Sequence, residues 1–178
     1  MEPLLRPARE RDLAELLAIY APEVRHGTAS WEWEPPDLEE YRRRFVAQQA
    51  TPWPWLVAEL EGRIAGYAYA SRYRPRIGYA WCVEDSVYVA AWARGRGVGR
   101  ALLAALVEAC AERGARQMVA VIGDSANVAS IALHGSCGFR EVGRLPAIGF
   151  KAGRWLDSVL MQRALGEGAA TPPGLPPP

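Results

Sequence analysis

The stretch Arg94-Gly95-Arg96-Gly97-Val98-Gly99-Arg100 constrains this chain more than any other. Ahead of it, Ser86 to Ala90 alternates β-branched and aromatic residues on successive faces, which is the pattern of a strand. Behind it, Val98, Ala101, Leu102, Ala105, Leu106 and Ala109 fall at i, i+3, i+4, i+7, i+8 and i+11. That spacing predicts a helix over Val98 to Arg113, with Gly114 as its stop. A strand, a glycine-rich turn and a helix therefore follow one another. Glycines let the backbone turn sharply and approach a ligand closely. The first N–H groups of a helix have no internal partner and lie at the positive end of its dipole. With Arg94, Arg96 and Arg100 beside them, they form a site suited to phosphate or pyrophosphate.

The spacing excludes two familiar phosphate binders. A P-loop requires Lys followed by Ser or Thr, whereas Val98-Gly99-Arg100 follows Gly97. The G-x-G-x-x-G dinucleotide fingerprint fails because Gly95, Gly97 and Gly99 alternate with other residues. What remains is Arg-x-x-Gly-x-Gly, Arg94 to Gly99; an ordinary strand-to-helix turn with solubilising arginines is the plain alternative.

Along the 178 residues the pattern is that of one α/β domain. Leu13, Leu16, Leu17 and Tyr20 predict a first helix closed by Pro22. Asp37 and Glu40 have capping-box spacing at the start of a second, with Leu38, Tyr41 and Phe45 on its buried side. Trp55 to Leu60 and Arg63 to Tyr73 read as a hairpin about Glu61-Gly62. Tyr79 to Ala90 is the strand that leads into the glycine loop. Gln117 to Ile122 suits a strand buried on both faces, and Ala126 to Ser136 a third good helix stopped by Gly138. Glu141 to Leu145 and Leu156 to Arg163 are the last strands, separated by Pro146 to Trp155. The domain is expected over 1–165, with 166–178 a disordered Pro/Gly-rich tail.

Charged residues make up 23% of the chain and the net charge is +1, so there is no broad electrostatic footprint for nucleic acid or anionic membranes. Seven tryptophans without a basic groove point to core and pocket packing rather than base stacking. Cys82, Cys110 and Cys137 share no metal spacing and read as buried side chains in a reducing compartment. No metal and a cytoplasmic location are expected, and the charged residues 1–20 are wrong for a signal peptide.

Arg94 to Gly99 resembles the pyrophosphate loop of the GNAT superfamily of N-acetyltransferases. Thr28-Ala29-Ser30-Trp31, Val83 to Val89, Met118 to Ile122, Leu133-His134, Cys137-Gly138-Phe139, and Gly149 to Asp157 resemble its phosphinothricin/methionine sulfoximine acetyltransferase group. The resemblance implies the acyl-CoA N-acyltransferase fold: a central mixed, mostly antiparallel sheet flanked by helices, with splayed central strands. It implies transfer of an acetyl group from acetyl-CoA to an amine, without a metal. An amine is mostly ammonium at neutral pH, so a base must remove a proton. Glu84 matches the family's catalytic carboxylate, and His134 its helix histidine, placed to protonate the CoA thiolate or assist the base. Val87, Tyr88, Val89, Val98, Asn127 and Ser130 join Arg94, Gly95, Arg96, Gly97, Gly99 and Arg100 as the implied cofactor contacts. Trp31, Tyr73, Arg74, Arg76 and Tyr79 are implied on the acceptor side, and Gly149 to Asp157 implies a homodimer. Ala80 and Cys82 depart from the group's arginine and threonine, which bears on the substrate. Acetylation of another amine such as a protein N-terminus, or acetyl-CoA binding without turnover, are the alternatives.

Overall fold

The computed structural model describes residues 2–176. Seven strands form one sheet in the order β1-β2-β3-β4-β5-β7-β6. They are β1 (Leu4–Pro7), β2 (Trp55–Leu60), β3 (Arg63–Arg72), β4 (Cys82–Val89), β5 (Gln117–Gly123), β6 (Arg140–Lys151) and β7 (Arg154–Ala164). Four α-helices accompany them: α1 (Leu13–His26), α2 (Leu38–Gln49), α3 (Val98–Glu112) and α4 (Val128–Ser136). Every strand pair is antiparallel except β4 with β5, which are joined by the crossover through α3. That parallel ladder is short. It pairs Cys82 with Gln117, Val83 with Met118 and Glu84 with Val119, and then stops. β4 runs five residues further without β5 beside it, so the middle of the sheet splays open just past Glu84.

Each face of the sheet carries its own core. On one, Leu16, Tyr20 and Val24 of α1 and Tyr41 and Phe45 of α2 pack on Trp55, Val57 and Tyr67. On the other, Leu102, Leu103, Leu106 and Cys110 of α3 pack on Val83, Met118 and Val159. Each leucine fully removed from water contributes roughly 1.5–3 kcal/mol.

The expected helix α3 and the hairpin of β2 and β3 are in place, and Glu61 and Gly62 both take positive φ at the turn. Five expectations need correction. Pro22 lies inside α1, which continues to His26 because Ala21 and Val24 belong to the buried face. Leu38 is exposed, because it falls at the first position of α2 ahead of the buried stripe. β4 starts at Cys82, since Ile77–Tyr79 form a 3-10 turn. Pro146 to Trp155 does not separate two strands: β6 and β7 pair through it and turn at Ala152-Gly153. Pro146 is accommodated where the register shifts, and the Ala147 N–H donates to Asp157 Oδ1 at 3.0 Å. Cys82 is only half-buried, whereas Cys110 and Cys137 are buried. Strand β1 has no counterpart among the expected elements.

Past residue 165, where a disordered tail is expected, the chain turns back along Arg116, which donates to Glu167, Gly168 O, Thr171 and Pro172 O. The end of the expected tail, residues 177 and 178, lies outside the described residues.

Candidate active site

Two cavities meet at the splay. The first, of about 440 Å³, runs along the glycine loop and is lined by Val87, Val89, Arg94, Gly95, Gly97 and Ser130 among others. Gly97 caps α3 with φ of +81°, a conformation other residues adopt only under strain, and its missing Cβ faces open space. No side chain caps α3. The first N–H groups of the helix are therefore available to an anion at the positive end of the dipole. An open helix start in a cleft of this size fits a pyrophosphate carried on a long arm.

The arginines of the loop divide. Arg94 and Arg100 line the cavity, with Arg94 paired to Glu23 on its rim. Arg96 turns away: it pairs with Glu61 and lies over the Trp92 ring. Val98 is buried beneath the loop and lines the same cavity.

The second cavity, about 380 Å³, opens beyond the point where the β4–β5 ladder ends. It shares Ala29, Val87, Tyr88, Asn127 and Ser130 with the first. Glu84, Asp85 and His134 line it, and Trp31 and Glu32 form its outer wall. Burial raises the Glu84 carboxyl above the ordinary glutamate range, the neighbouring Asp85 adds to this, and Arg74 opposes it. A carboxylate that holds its proton more tightly is a better base toward an ammonium.

His134 is 4% exposed. Its Nε2 lies 3.0 Å from Asp85 Oδ2, and its Nδ1 lies 2.7 Å from the Ser130 carbonyl oxygen. Phe139 packs edge-on against the ring at 5.1 Å. Burial alone pushes the imidazole down. The hydrogen bond and charge of Asp85, with the Ser130 carbonyl, outweigh it and leave His134 raised. Asn127 also serves α4 itself, its Oδ1 accepting from the Ser130 N–H at 3.2 Å.

The wall over the second cavity is held from three sides. Ser30 Oγ lies 2.9 Å from the Tyr20 hydroxyl, Lys151 Nζ donates to the Ser30 carbonyl at 2.6 Å, and the Trp31 ring fills the space beside Gly149 where a Cβ would stand. Glu32 is tied down by Arg44 at 2.5 Å. Tyr73, Arg74, Arg76 and Tyr79 do not line this cavity. They sit on the β3–β4 connection, with Tyr73 half-buried and the others exposed; the Arg74 charge acts on Glu84, and its guanidinium stacks on the Tyr73 ring at 4.6 Å.

Asp85, Tyr20, Ser30 and Glu32 complete the site and are absent from the residues expected there. Ser30 and Asp85 lie inside sequence segments already conspicuous, Thr28–Trp31 and Val83–Val89. Their roles depend on partners 121 and 49 residues distant. Among the described residues no group of three or more His, Cys, Asp or Glu assembles to hold a metal, and no helix is long and apolar enough to cross a membrane.

The family model described as "Acetyltransferase (GNAT) family" matches residues 12–139. A phosphinothricin N-acetyltransferase of Alcaligenes faecalis is 50% identical over 169 residues, covering 95% of this chain and 86% of that protein. An L-methionine sulfoximine/L-methionine sulfone acetyltransferase of Pseudomonas aeruginosa is 42% identical, covering 91% and 94%. Among solved structures, a GNAT-superfamily phosphinothricin acetyltransferase of Sinorhizobium meliloti in complex with acetyl-CoA superposes with a TM-score of 0.94. It is 47% identical and covers 98% of this chain and 94% of its own.

Proposed function

The chain belongs to the acetyltransferase (GNAT) family, and from that premise we propose that it acetylates the primary amine of a small amino-acid analogue of the phosphinothricin or methionine sulfoximine type. Acetyl-CoA is the acetyl donor. The observation that carries this reading is the meeting of two cavities at the β4–β5 splay, one ending at a helix start, the other holding the half-buried carboxylate of Glu84.

The start of α3, with Gly95, Gly97, Gly99, Arg94 and Arg100, would hold the pyrophosphate. Beyond Glu84 every second N–H and C=O of β4 faces the gap left by β5, where backbone amides would grip the pantetheine arm and polarise the thioester carbonyl. Asn127 and Ser130 line this passage from α4. When bound, acetyl-CoA supplies an activated acyl group. Glu84 takes the proton of the attacking amine, and His134 serves the sulfur on the opposite side. Arg74 and Arg76, exposed on the β3–β4 connection, are the groups that would meet an acceptor carboxylate.

Trp31 and Glu32 close the acceptor cavity to a volume suited to an amino acid rather than a folded protein's terminus. We further propose that residues 1–165 form the catalytic domain and that it is a cytoplasmic homodimer. Three free cysteines support the compartment. Supporting the dimer, edge strand β6 and its partner β7 expose Val142, Ile148, Phe150 and Trp155.

The test is thiol release from acetyl-CoA with purified protein, offered phosphinothricin, methionine sulfoximine and a panel of amino acids and amines. Turnover on the first two is expected. Silence on every amine while acetyl-CoA still binds would refute the reading.

A further inference from the structure

The hydrogen bonds around His134 fix how many protons it shares with Asp85. The Ser130 carbonyl can only accept, so His134 Nδ1, at 2.7 Å, carries a hydrogen. Asp85 Oδ2 is 3.0 Å from Nε2, and an ionised carboxylate can only accept as well. A neutral imidazole with its hydrogen on Nδ1 would set the Nε2 lone pair against a carboxylate oxygen. One further proton must therefore lie between Nε2 and Oδ2, as imidazolium with carboxylate or as imidazole with carboxylic acid. Both side chains are at least 95% buried, and Asp85 Oδ1 is buried without a partner, so His134 alone balances this carboxylate. The other titratable groups facing the pair are Glu84 on β4 and the Cys110 thiol on α3, itself pushed up to about 12 by burial.

We infer that Asp85 is a positioning residue which, through His134, stores a single shared proton in the second cavity, next to the Ser130 that lines both cavities, and delivers it to the CoA sulfur. The inference rests on the acetyltransferase reading. As the amine nitrogen bonds to the acetyl carbon, it gives a proton to Glu84. As the carbon–sulfur bond breaks, its electron pair goes to sulfur, which takes the proton of the pair. Whichever ring nitrogen gives it up, a lone pair is left facing an oxygen of Asp85 or Ser130. The discharged pair is thus unstable and is refilled by the proton on Glu84 or from solvent, and the net change is one proton moved from amine to thiol.

The chain has two histidines, and His26 is exposed, so ring-nitrogen NMR has one other ring from which to tell the buried His134. In the intact protein His134 is expected to keep two ring-associated protons above the ordinary histidine value of about 6.5. Asp85→Asn separates structure from proton storage, because an amide still hydrogen-bonds Nε2 by donating to it. In that variant the His134 midpoint is expected to fall below that of the intact protein. The basic limb of kcat should move down with it, while the acetyl-CoA dissociation constant stays unchanged. If His134 of the unaltered protein gives up its second ring proton at or below the ordinary histidine value of about 6.5, there is no stored proton and the inference falls; this needs no variant and no substrate. If the midpoint moves but the basic limb does not, delivery to sulfur is refuted. Absence of turnover on every amine refutes the acetyltransferase reading instead, and leaves the NMR result to decide the pair.

Discussion

Gly149→Ala probes the acceptor cavity through a single methyl group. Gly149 sits in β6 opposite Leu156 of β7, and its φ is not in the left-handed region, so alanine suits the backbone there. In a strand the exchange by itself favours alanine by about 0.5–1 kcal/mol. Packing opposes it. The added Cβ would lie 2.0, 2.6 and 2.7 Å from Cζ3, Cε3 and Cη2 of Trp31, where carbon contacts need about 3.5–4.0 Å. One side must retreat by roughly 1.5 Å to restore contact distance. β6 is tied to β7 by its ladder, whereas Trp31 stands on a loop and is 36% exposed, so the indole moves. Overpacking costs about 1–3 kcal/mol, which the strand preference partly offsets, so the fold should survive with a modestly lower Tm. The acceptor wall does not. A loss of about 1–2 kcal/mol of acceptor contact corresponds to a roughly 5- to 30-fold rise in acceptor KM. Neither Gly149 nor Trp31 lines the cofactor cavity, so acetyl-CoA affinity should be unaffected. Steady-state kinetics with varied acceptor and titration calorimetry with acetyl-CoA make the measurement. In a Trp31→Ala background the same change should cost nearly nothing, since the clash is gone. An acceptor KM within two-fold of wild type for Gly149→Ala alone would show that Trp31 does not depend on β6 for its position.

Glu84→Gln should lower kcat by about 10²- to 10⁴-fold, the range for loss of a general base, with acetyl-CoA affinity intact by calorimetry. The acid limb of kcat/KM in the intact enzyme should lie above the ordinary glutamate value of about 4.3, because burial raises this carboxyl. Gly97→Ala meets no atom, so its effect is conformational: about 1–2 kcal/mol for a left-handed residue at the start of α3. It should appear as weaker acetyl-CoA binding with unchanged acceptor selectivity. For stability, His134 is raised on folding. Its contribution is therefore fully present below its unfolded value, about 6.5, and is lost as pH rises through the folded value. Thermal melts should show Tm falling over that window, and the fall should be absent in His134→Asn.

What could be read from the residues is what is written locally. The glycine loop, the periodicity of α3, the Asp37 cap, whose Oδ1 accepts from the Glu40 N–H at 2.8 Å, and the Glu61-Gly62 turn all depend on neighbours within a few positions. What could not be read depends on distant chain. Strand β1 has four residues ending in proline, and becomes a strand only because β2 lies beside it. Pro22 looks like a stop until Val24, wholly buried, repays the missing hydrogen bond. Pro146 looks like a loop until Asp157 accepts the neighbouring N–H.

The site divides in the same way, and Glu84 and Asp85 show why. Consecutive residues of a strand point to opposite faces of a sheet. Glu84 accordingly acts on Tyr69 on the α1–α2 side, while Asp85 reaches His134 on α4. That alternation is contained in the sequence. What it lacks is the point where the β4–β5 ladder ends, set by three residue pairs between segments 35 positions apart. Only because the sheet opens there do two carboxylates on opposite faces border one cavity, one beside the acceptor wall and the other paired with a histidine on α4. A carboxylate next to the expected base thus looks redundant in the sequence, and the break in the ladder is what separates their work.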